Sequence, residues 1–499
     1  MQISLFDGSK QFKINKPIRL IELFAGYGSQ HFALEYLGAN FESWKICEWA
    51  VKSIQAYKDA HFKYDNTDYS KQLRKEEIFE YLTNKGISAN YNEPMTFNQI
   101  KRLGEEKART IYNNIMATHN LVNIQQAKGK DFEIVDVDKY CYLMTYSFPC
   151  QDLSSAGLGK GMEKGSGTRS GMLWEVEIIL DELKDGNISL PQVLVMENVP
   201  EVIGTNNIKH FAKWLSKLEE LGYKNKWEVL NAKDFTVPQN RERCFMVSIL
   251  GDYYYDFPKT QKLELRLKDL LEIWVDEKFY LSDKMLEYCT GTNMKGKKFP
   301  RKEVFLRSLD NANNKGIATT ITTLAGQRPT DNFIIDDTNK EINLKRQLCN
   351  KLIENNMVEE MDVIRHSYSN SRMNKFYSSN KENKDCSPTL DTRCDCLGVV
   401  VNDKINVIGN YKPSGHSCGR IITINGISPT IMENHGAVQV IYNNLRIRKL
   451  TPKECFRLMG VKDQDFNLIA QNQSNASLYH LAGDSIVVDV LMAIFKQML

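Results

Sequence analysis

The feature that most restricts the fold of this chain is a short apolar run that ends in two glycines and is followed by an amphipathic pattern. Residues 18–25 read Ile-Arg-Leu-Ile-Glu-Leu-Phe-Ala, Gly26 and Gly28 come next, and apolar side chains then recur at helical spacing over 32–37. This pattern predicts a buried strand, a glycine turn and a helix. Such a unit indicates an α/β fold, in which strands and helices alternate.

Further apolar runs, separated by segments with helical spacing, extend this pattern along the chain. We expect strands at 44–47, 142–146, 193–196 and 244–249, and helices at 172–184 and 208–221. This alternation favours a mainly parallel sheet. The carboxyl ends of its strands would meet at one edge, where α/β proteins bind their ligands.

The pattern divides the chain into three parts. Residues 1–250 form the α/β domain, with a polar, helical insertion at about 66–118 in which the sequence indicates no functional residue. Residues 251–445 are rich in turn-forming and polar residues with short β-like pieces, and they predict a smaller, β-rich domain. Residues 446–499 are expected to return to the first domain, with a helix that begins at Thr451-Pro452.

Composition excludes several classes of protein. Hydrophobic residues make up 42% of the chain, which is typical of globular proteins and not of disordered ones. The 65 Lys and Arg nearly balance the 62 Asp and Glu, so an anionic partner has to be bound by a local patch. The 11 scattered cysteines predict a reducing compartment, and we find neither a signal peptide nor an apolar run of about 20 residues. We therefore expect a cytoplasmic protein that does not bind membranes.

The glycine turn and a carboxylate after the next strand suggest a nucleoside site. Glu48 follows the strand at 44–47, and a carboxylate there can accept hydrogen bonds from both hydroxyls of a ribose. The third glycine of a dinucleotide fingerprint is missing, which favours a mononucleoside, and Trp49 can stack on its base. The alternative is a tightly packed glycine turn without a ligand.

A cysteine directly after a proline follows another predicted strand. Cys150 comes after Pro149, and a glycine-rich stretch at 154–171 is too long for a simple turn and is suited to closing over a substrate. A thiol at the edge of a ligand crevice can act as a nucleophile. The alternative, a buried and inert thiol, does not account for the glycine-rich stretch.

Charged residues occur at the ends of the remaining strands. Glu197 ends the strand at 193–196, and Arg241 and Arg243 are expected on one face of the strand near 244–249, because side chains alternate along a strand. Each charge alone is more often an exposed surface group. Together, in this order on one sheet, they form a recognisable set.

In order and spacing, these segments resemble the motifs of the bacterial DNA (cytosine-5)-methyltransferase family. The matching segments are Phe24-x-Gly26-x-Gly28, Pro149-Cys150-Gln151, Glu197-Asn198-Val199, Gln239-x-Arg241-x-Arg243, Arg448-x-Leu450-Thr451-Pro452-x-Glu454 and Ala482-Gly483-Asp484-Ser485. They cover about 17–250 and 445–499. The resemblance implies a Rossmann-like S-adenosyl-methionine-dependent methyltransferase domain with a second, smaller β-rich domain for target recognition at 251–445.

The resemblance also implies a role for each catalytic residue. Cys150 would be the nucleophile that adds to C6 of cytosine, and Glu197 the acid at N3 of the base. Arg243 would bind the base O2, with Arg241 supporting the cluster. The target base would be flipped out of the duplex, because its reacting atoms are hidden in the stack.

Two further sets of residues follow from the resemblance. The residues expected to bind S-adenosyl-methionine are Phe24, Gly26, Gly28, Glu48, Trp49, Asn123, Pro149 and Asp484. Those expected to contact DNA are Gln151, Ser154 and Ser155. Asn123 and Asp484 depart from the family pattern, in which Asp and Asn respectively are usual, so an extra carboxylate is expected near the cofactor and the nucleophile.

The expected partner is double-stranded DNA, bound by a monomer, and a cognate restriction endonuclease could be encoded separately or the gene could belong to a prophage. We expect no metal, because the cysteines and His416 in the region 386–418 contain no Cys-x-x-Cys pair. Three alternatives stay open: methylation of RNA, a regulator that binds DNA without catalysis, and a thiol hydrolase. The long variable region disfavours the first, the presence of both Cys150 and Glu197 disfavours the second, and the lack of a partner histidine disfavours the third.

Overall fold

The computed structural model describes most of the chain. The described residues are 10–149, 153, 162–164, 169–265, 267–272, 275–279, 323 and 450–499, together with short strands between 307 and 449. Cys150, Gln151, Ser154 and Ser155 lie outside the described residues, as does most of the predicted target-recognition domain.

The described elements alternate as the sequence predicts. The strands are β1 (Lys10–Gln11), β2 (Ile18–Leu23), β3 (Phe41–Cys47), β4 (Cys141–Tyr146), β5 (Val193–Asn198), β6 (Tyr223–Asn231), β7 (Gln239–Asn240), β8 (Glu242–Leu250), β9 (Tyr253–Tyr254), β10 (Arg307–Ser308), β11 (Ala318–Thr319), β12 (Asn332–Asp337), β13 (Ile364–His366), β14 (Phe376–Ser378), β15 (Val407–Asn410), β16 (Arg420–Thr423), β17 (Ile441–Tyr442) and β18 (Leu445–Lys449). The α-helices are α1 (Ser29–Tyr36), α2 (Val51–His61), α3 (Lys75–Lys85), α4 (Phe97–Leu103), α5 (Glu105–Ala117), α6 (Leu173–Asp185), α7 (Ile208–Glu220), α8 (Pro452–Arg457), α9 (Asp463–Ala470), α10 (Asn475–Asp484) and α11 (Val488–Lys496).

A six-stranded sheet forms the centre of the α/β part, in the order β3-β2-β4-β5-β8-β6. The neighbours β3, β2, β4 and β5 are parallel, whereas β8 runs antiparallel to both β5 and β6. Every residue of β2, β4 and β5 is buried, as expected for central strands covered on both faces. The expected α/β class and the mainly parallel sheet are thus confirmed.

The sequence does not reveal β6, which is nine residues long. Most of its central residues are exposed, including Trp227 and Val229, because β6 is the edge strand of the sheet. A strand of this kind lacks the buried apolar run by which the other strands are recognised.

Three helices, α3, α4 and α5, lie in the segment 66–118, where the sequence predicts a helical insertion. They enclose a separate apolar cluster that includes Ile78, Leu82 and Ile100. The cluster also includes Ile54 of α2 and Val122, so the insertion shares this core with neighbouring parts of the α/β domain.

The chain divides into two compact units, and the boundaries between them differ from those that the sequence suggests. The larger unit comprises 1–279, 287–333 and 449–499, and the smaller comprises 280–286 and 334–448. The composition changes at 251, but the next residues still pack in the larger unit: Tyr255 is buried and its hydroxyl donates to the Ile494 carbonyl at 3.1 Å. In the smaller unit β13 pairs with β14 and β15 with β16, both antiparallel.

The C-terminal segment packs into the larger unit. Thr451 caps α8 through a hydrogen bond from the Glu454 amide, and Pro452 is its first residue, as predicted. Among the described residues, 475–496 is one stretch long and apolar enough to cross a membrane, contrary to the sequence expectation, and 72% of its most apolar window is buried inside the protein. It consists of α10 and α11, separated by Ser485–Val487, which is typical of core helices.

Candidate active site

A cavity of about 220 Å³ lies at the carboxyl ends of the central strands, within the larger unit. Many of the residues predicted from the sequence line it: Phe24, Gly26, Glu48, Trp49, Asn123, Pro149, Glu197, Arg241, Arg243 and Asp484. These residues come from seven segments that are far apart in the chain. The structure thus brings together in one site all the predicted cofactor and catalytic residues except Gly28, which does not line the cavity, and Cys150, which lies outside the described residues.

The turn after β2 exposes its backbone to this cavity. Phe24 and Gly26 both have positive φ angles, 60° and 56°. A Cβ at Gly26 would meet no atom within 4 Å, so the glycine leaves space there. The Gly26 amide donates to Glu48 Oε2 at 2.9 Å, which links the turn to the end of the next strand.

Gly28 does not line the cavity, unlike the other predicted residues of this turn. A Cβ at Gly28 would lie 2.4 Å from His61 Nε2 and 2.7 Å from Tyr57 Cε2. Its φ of 84° and the approach of α2 therefore require glycine. At this position the alternative of a tightly packed glycine turn describes the structure.

Glu48 is buried and held by backbone donors. Its Oε1 accepts from the Ala50 amide at 2.7 Å, and its Oε2 accepts from the Gly26 amide. The Asn120 side chain accepts from the backbone amide of Glu48 and donates to the backbone carbonyl of Glu48. Burial raises the Glu48 pKa to about 7, although the backbone donors lower it. A carboxylate fixed in this way keeps acceptor capacity for ligand hydroxyl groups that enter the cavity.

Glu197 and Arg243 form an ion pair in the same cavity. Arg243 Nε lies 3.1 Å from Glu197 Oε1, and the two side chains are only 17% and 10% exposed. Burial raises the Glu197 pKa, and the charges of Arg243 and Arg241 oppose this rise. The carboxyl group is therefore more easily protonated than a surface glutamate, which an acid catalyst needs.

Arg241 connects the catalytic sheet to the C-terminal segment. Its Nη2 donates to the carbonyls of Gly483 at 3.0 Å and Ser485 at 2.8 Å. The Tyr27 hydroxyl donates to Ser485 Oγ at 2.9 Å. Arg241 thereby positions the turn that carries Asp484, in addition to its electrostatic effect on Glu197.

The backbone that precedes Cys150 is fixed by two side chains. Asn198 Nδ2 donates to the Phe148 carbonyl and Ser170 Oγ to the Pro149 carbonyl, both at 2.9 Å. Asn198 belongs to the same predicted segment as Glu197, so one strand end holds both the acid and the approach to the cysteine.

Several lining residues escape the sequence analysis, among them Tyr91 and Asn92 of the helical insertion and His480 of α10. The sequence indicates no functional residue in the insertion, yet these two residues of the insertion line the cavity. No motif marks Tyr91 or Asn92, which lie in a polar loop. His480 is four residues before Asp484 and could have been found, because residues at this spacing share a helix face.

Among the described residues, His31, Glu35 and His61 form a cluster whose ligand atoms lie within 4.8 Å of one another. The two imidazole rings stack, however, with centroids 3.8 Å apart and planes 28° apart. Nitrogen lone pairs lie in the ring plane, so rings that face each other do not direct both of them at one ion. The arrangement is that of aromatic packing, and the expectation of no metal stays a prediction.

Comparison with known proteins identifies the family. A model described as C-5 cytosine-specific DNA methylase matches residues 73–499. The chain belongs to this family. It is a DNA (cytosine-5)-methyltransferase, and S-adenosyl-methionine is its methyl donor. The cavity fits this cofactor, because it combines a buried carboxylate, an indole and open backbone at Gly26.

Relatives support the assignment along most of the chain. The orphan methyltransferase M.SssI of Spiroplasma monobiae is 39% identical over 285 residues, which are 56% of this chain and 71% of that protein. The type II methyltransferase M2.ScrFI of Lactococcus lactis subsp. cremoris is 30% identical over 484 residues, which are 96% of this chain and 99% of that protein. A solved structure of the Entamoeba histolytica methyltransferase EhMeth has a TM-score of 0.50 at 14% identity, with 97% of this chain and 98% of that chain covered. The likeness to EhMeth concerns the fold alone.

Proposed function

We propose that the enzyme methylates C5 of a cytosine that is flipped out of a specific double-stranded DNA sequence, through a covalent adduct of Cys150 at C6. The observation that carries this proposal is the buried Glu197–Arg243 pair in the cavity, 3.1 Å apart. An acidic group and a guanidinium side by side can donate to N3 and O2 of one cytosine ring.

The chemistry explains why these residue types are needed. C5 of cytosine is a weak nucleophile, but addition of the Cys150 thiolate at C6 makes C5 electron-rich, while Glu197 protonates or hydrogen-bonds N3. S-adenosyl-methionine supplies the methyl group as an electrophile. C5 takes this methyl group, and S-adenosyl-homocysteine is left. A base such as water then takes the C5 proton, the electron pair of that C–H bond restores the C5–C6 double bond, and Cys150 leaves C6 as a thiolate while N3 returns its proton to Glu197.

We assign cofactor binding to other residues that line the same cavity. Glu48 accepts from the ribose hydroxyls, Trp49 stacks on the adenine, and Asn123 contacts its edge. The turn at Phe24 and Gly26, with Pro149 and Asp484, completes the cofactor site. Gly28 contributes by allowing the turn to pack and not by touching the ligand, since it does not line the cavity.

The remaining assignments concern DNA and biological context. Gln151, Ser154 and Ser155 contact DNA, and the region 251–445 reads its sequence in the grooves. We expect a cytoplasmic monomer. The relatives named above include both a type II and an orphan methyltransferase, so this enzyme either accompanies a separately encoded restriction endonuclease or acts alone, as in a prophage.

The test is transfer of labelled methyl groups from S-adenosyl-methionine to unmethylated duplex DNA, with RNA in parallel. We expect 5-methylcytosine in one short DNA motif, found by sequencing, and none with Cys150→Ala. Cys141→Ala, which changes a buried cysteine of β4, is the matched control and should retain transfer. Transfer to RNA only, or retention of activity in Cys150→Ala, would refute the proposal.

A further inference from the structure

A loop of the helical insertion reaches the cofactor cavity. Tyr91 and Asn92, which lie between α3 and α4, are among the lining residues. The loop is attached directly to the residues after Glu48: the Ser88 amide donates to the Trp49 carbonyl at 2.8 Å, and the Val51 amide donates to the Ser88 carbonyl at 2.9 Å. The position of Tyr91 is therefore coupled to that of the proposed nucleoside site.

The loop is shaped to present Tyr91. Asn90 Oδ1 accepts from the amides of Asn92 at 3.0 Å and Glu93 at 3.2 Å, and Ser88 Oγ donates to the Glu93 carbonyl at 2.8 Å. Tyr91 has a φ of 62°, a left-handed conformation that is unfavourable for a bulky residue. Such a conformation persists only where the surroundings hold it, and it is frequent at functional sites.

The Tyr91 ring meets a residue from the other end of the chain. It stacks on the His480 ring with centroids 4.0 Å apart and planes 13° apart. His480 Nδ1 lies 3.0 Å from Asp484 Oδ2, one helical turn later. Ser53 Oγ is 3.3 Å from the Tyr91 hydroxyl, and Ser53, His480 and Asp484 also line the cavity.

We propose that the stacked rings of Tyr91 and His480 form a wall of the cofactor site and slow the release of S-adenosyl-methionine, so that the helical insertion is part of the cofactor site. This inference rests on the proposed location of the cofactor. The stack joins two segments that share no motif. It is the contact through which the insertion and α10 can enclose a ligand bound at Glu48.

The test measures the dissociation rate of labelled S-adenosyl-methionine from the full-length enzyme by a chase with unlabelled cofactor. Tyr91→Ala removes the stack, and we expect the rate to rise by about three- to tenfold, the range that the loss of one aromatic pair predicts. Tyr91→Phe keeps the ring and should restore a rate close to that of the wild type. Tyr81→Ala is the matched control, because Tyr81 also makes an aromatic pair, edge-to-face with Tyr112, elsewhere in the insertion.

The outcomes distinguish the proposed role of Tyr91 from the proposed location of the cofactor. Glu48→Ala should weaken cofactor binding if the cavity holds the cofactor; an unchanged affinity would refute the proposed site. If Glu48→Ala weakens binding while Tyr91→Ala leaves the dissociation rate unchanged, the role of Tyr91 alone is refuted. An equal rise in Tyr81→Ala would also refute it, because the effect would then come from general loosening of the insertion.

Discussion

The ionisation of Glu48 links stability to function, and Glu48→Gln tests this link. Burial raises the Glu48 pKa from the usual 4.5 to about 7. At about 1.4 kcal/mol per pKa unit, the ionised carboxylate destabilises the native state by about 3 kcal/mol. The native state therefore binds more protons at this site than the unfolded chain between pH 4.5 and 7, and stability falls as the pH rises through this range.

The neutral amide of Glu48→Gln lacks this titration. Relative to the wild type, we expect the free energy of unfolding of the variant to improve by about 2–3 kcal/mol between pH 4.5 and pH 8. The comparison isolates Glu48, because other carboxyl groups with raised pKa values, such as Glu22 at about 8, are present in both proteins. The absolute stability also contains the loss of one of the two acceptor oxygens that bond Gly26 and Ala50.

The measurement is urea denaturation of both proteins without cofactor at several pH values, followed by calorimetric titration with S-adenosyl-methionine. Cofactor affinity should fall about tenfold or more in the variant, because an amide nitrogen replaces an acceptor that the ribose needs. Parallel stability curves for the two proteins across this pH range would refute the assignment of the titration to Glu48. A variant that binds the cofactor as the wild type does would refute the role of the carboxylate.

Three further changes have defined outcomes. Arg241→Met breaks two buried hydrogen bonds to backbone carbonyls of the C-terminal segment and should lower the free energy of unfolding by about 2–4 kcal/mol, measured by denaturation. Arg243→Met removes the ion-pair partner of Glu197, so the pKa of that carboxyl should rise further; methyl transfer should fall sharply while cofactor affinity, measured by calorimetry, stays within about twofold of the wild type. Gly28→Ala places a Cβ in contact with α2 and should be insoluble or destabilised by more than about 2 kcal/mol, whereas Gly26→Ala has space for its Cβ and should fold, with cofactor affinity reduced.

Local sequence patterns predict the parts of the fold that depend on neighbouring residues. The strand before Gly26 and the strand before Glu48 are apolar runs with clear ends, and the carboxyl ends of parallel strands have to converge. For this reason Glu48 and Glu197 could be assigned to one edge of the sheet before any distance was known. Arg243 lies at the start of the antiparallel strand β8, and its assignment to the site came from the family resemblance. The assignment of Glu48 and Glu197 needed only the order of the strands and the edge of the sheet at which each strand ends.

The parts that could not be predicted depend on contacts between distant segments. The requirement for glycine at position 28 comes from α2, whose approach no local pattern shows. Tyr91 reaches the cavity only because the insertion packs beside the sheet, and its partner lies nearly four hundred residues later in the chain. The boundary near 251 was placed on composition, which does not show that Tyr255, a few residues later, is buried in the larger unit.

The departure at Asp484 shows how such distant contacts change the meaning of a single residue. From the motif alone, a carboxylate in place of the usual amide adds negative charge beside Glu48 and Glu197, and in the structure it does raise the pKa of both. His480, however, lies 3.0 Å from Asp484 and stacks on Tyr91, so the same carboxylate also contacts the aromatic wall of the cavity. The pair is partly exposed, so its net contribution to stability is small. Asp484 therefore affects both the two carboxyl groups of the cavity and the aromatic wall, and the motif alone does not reveal this second contact.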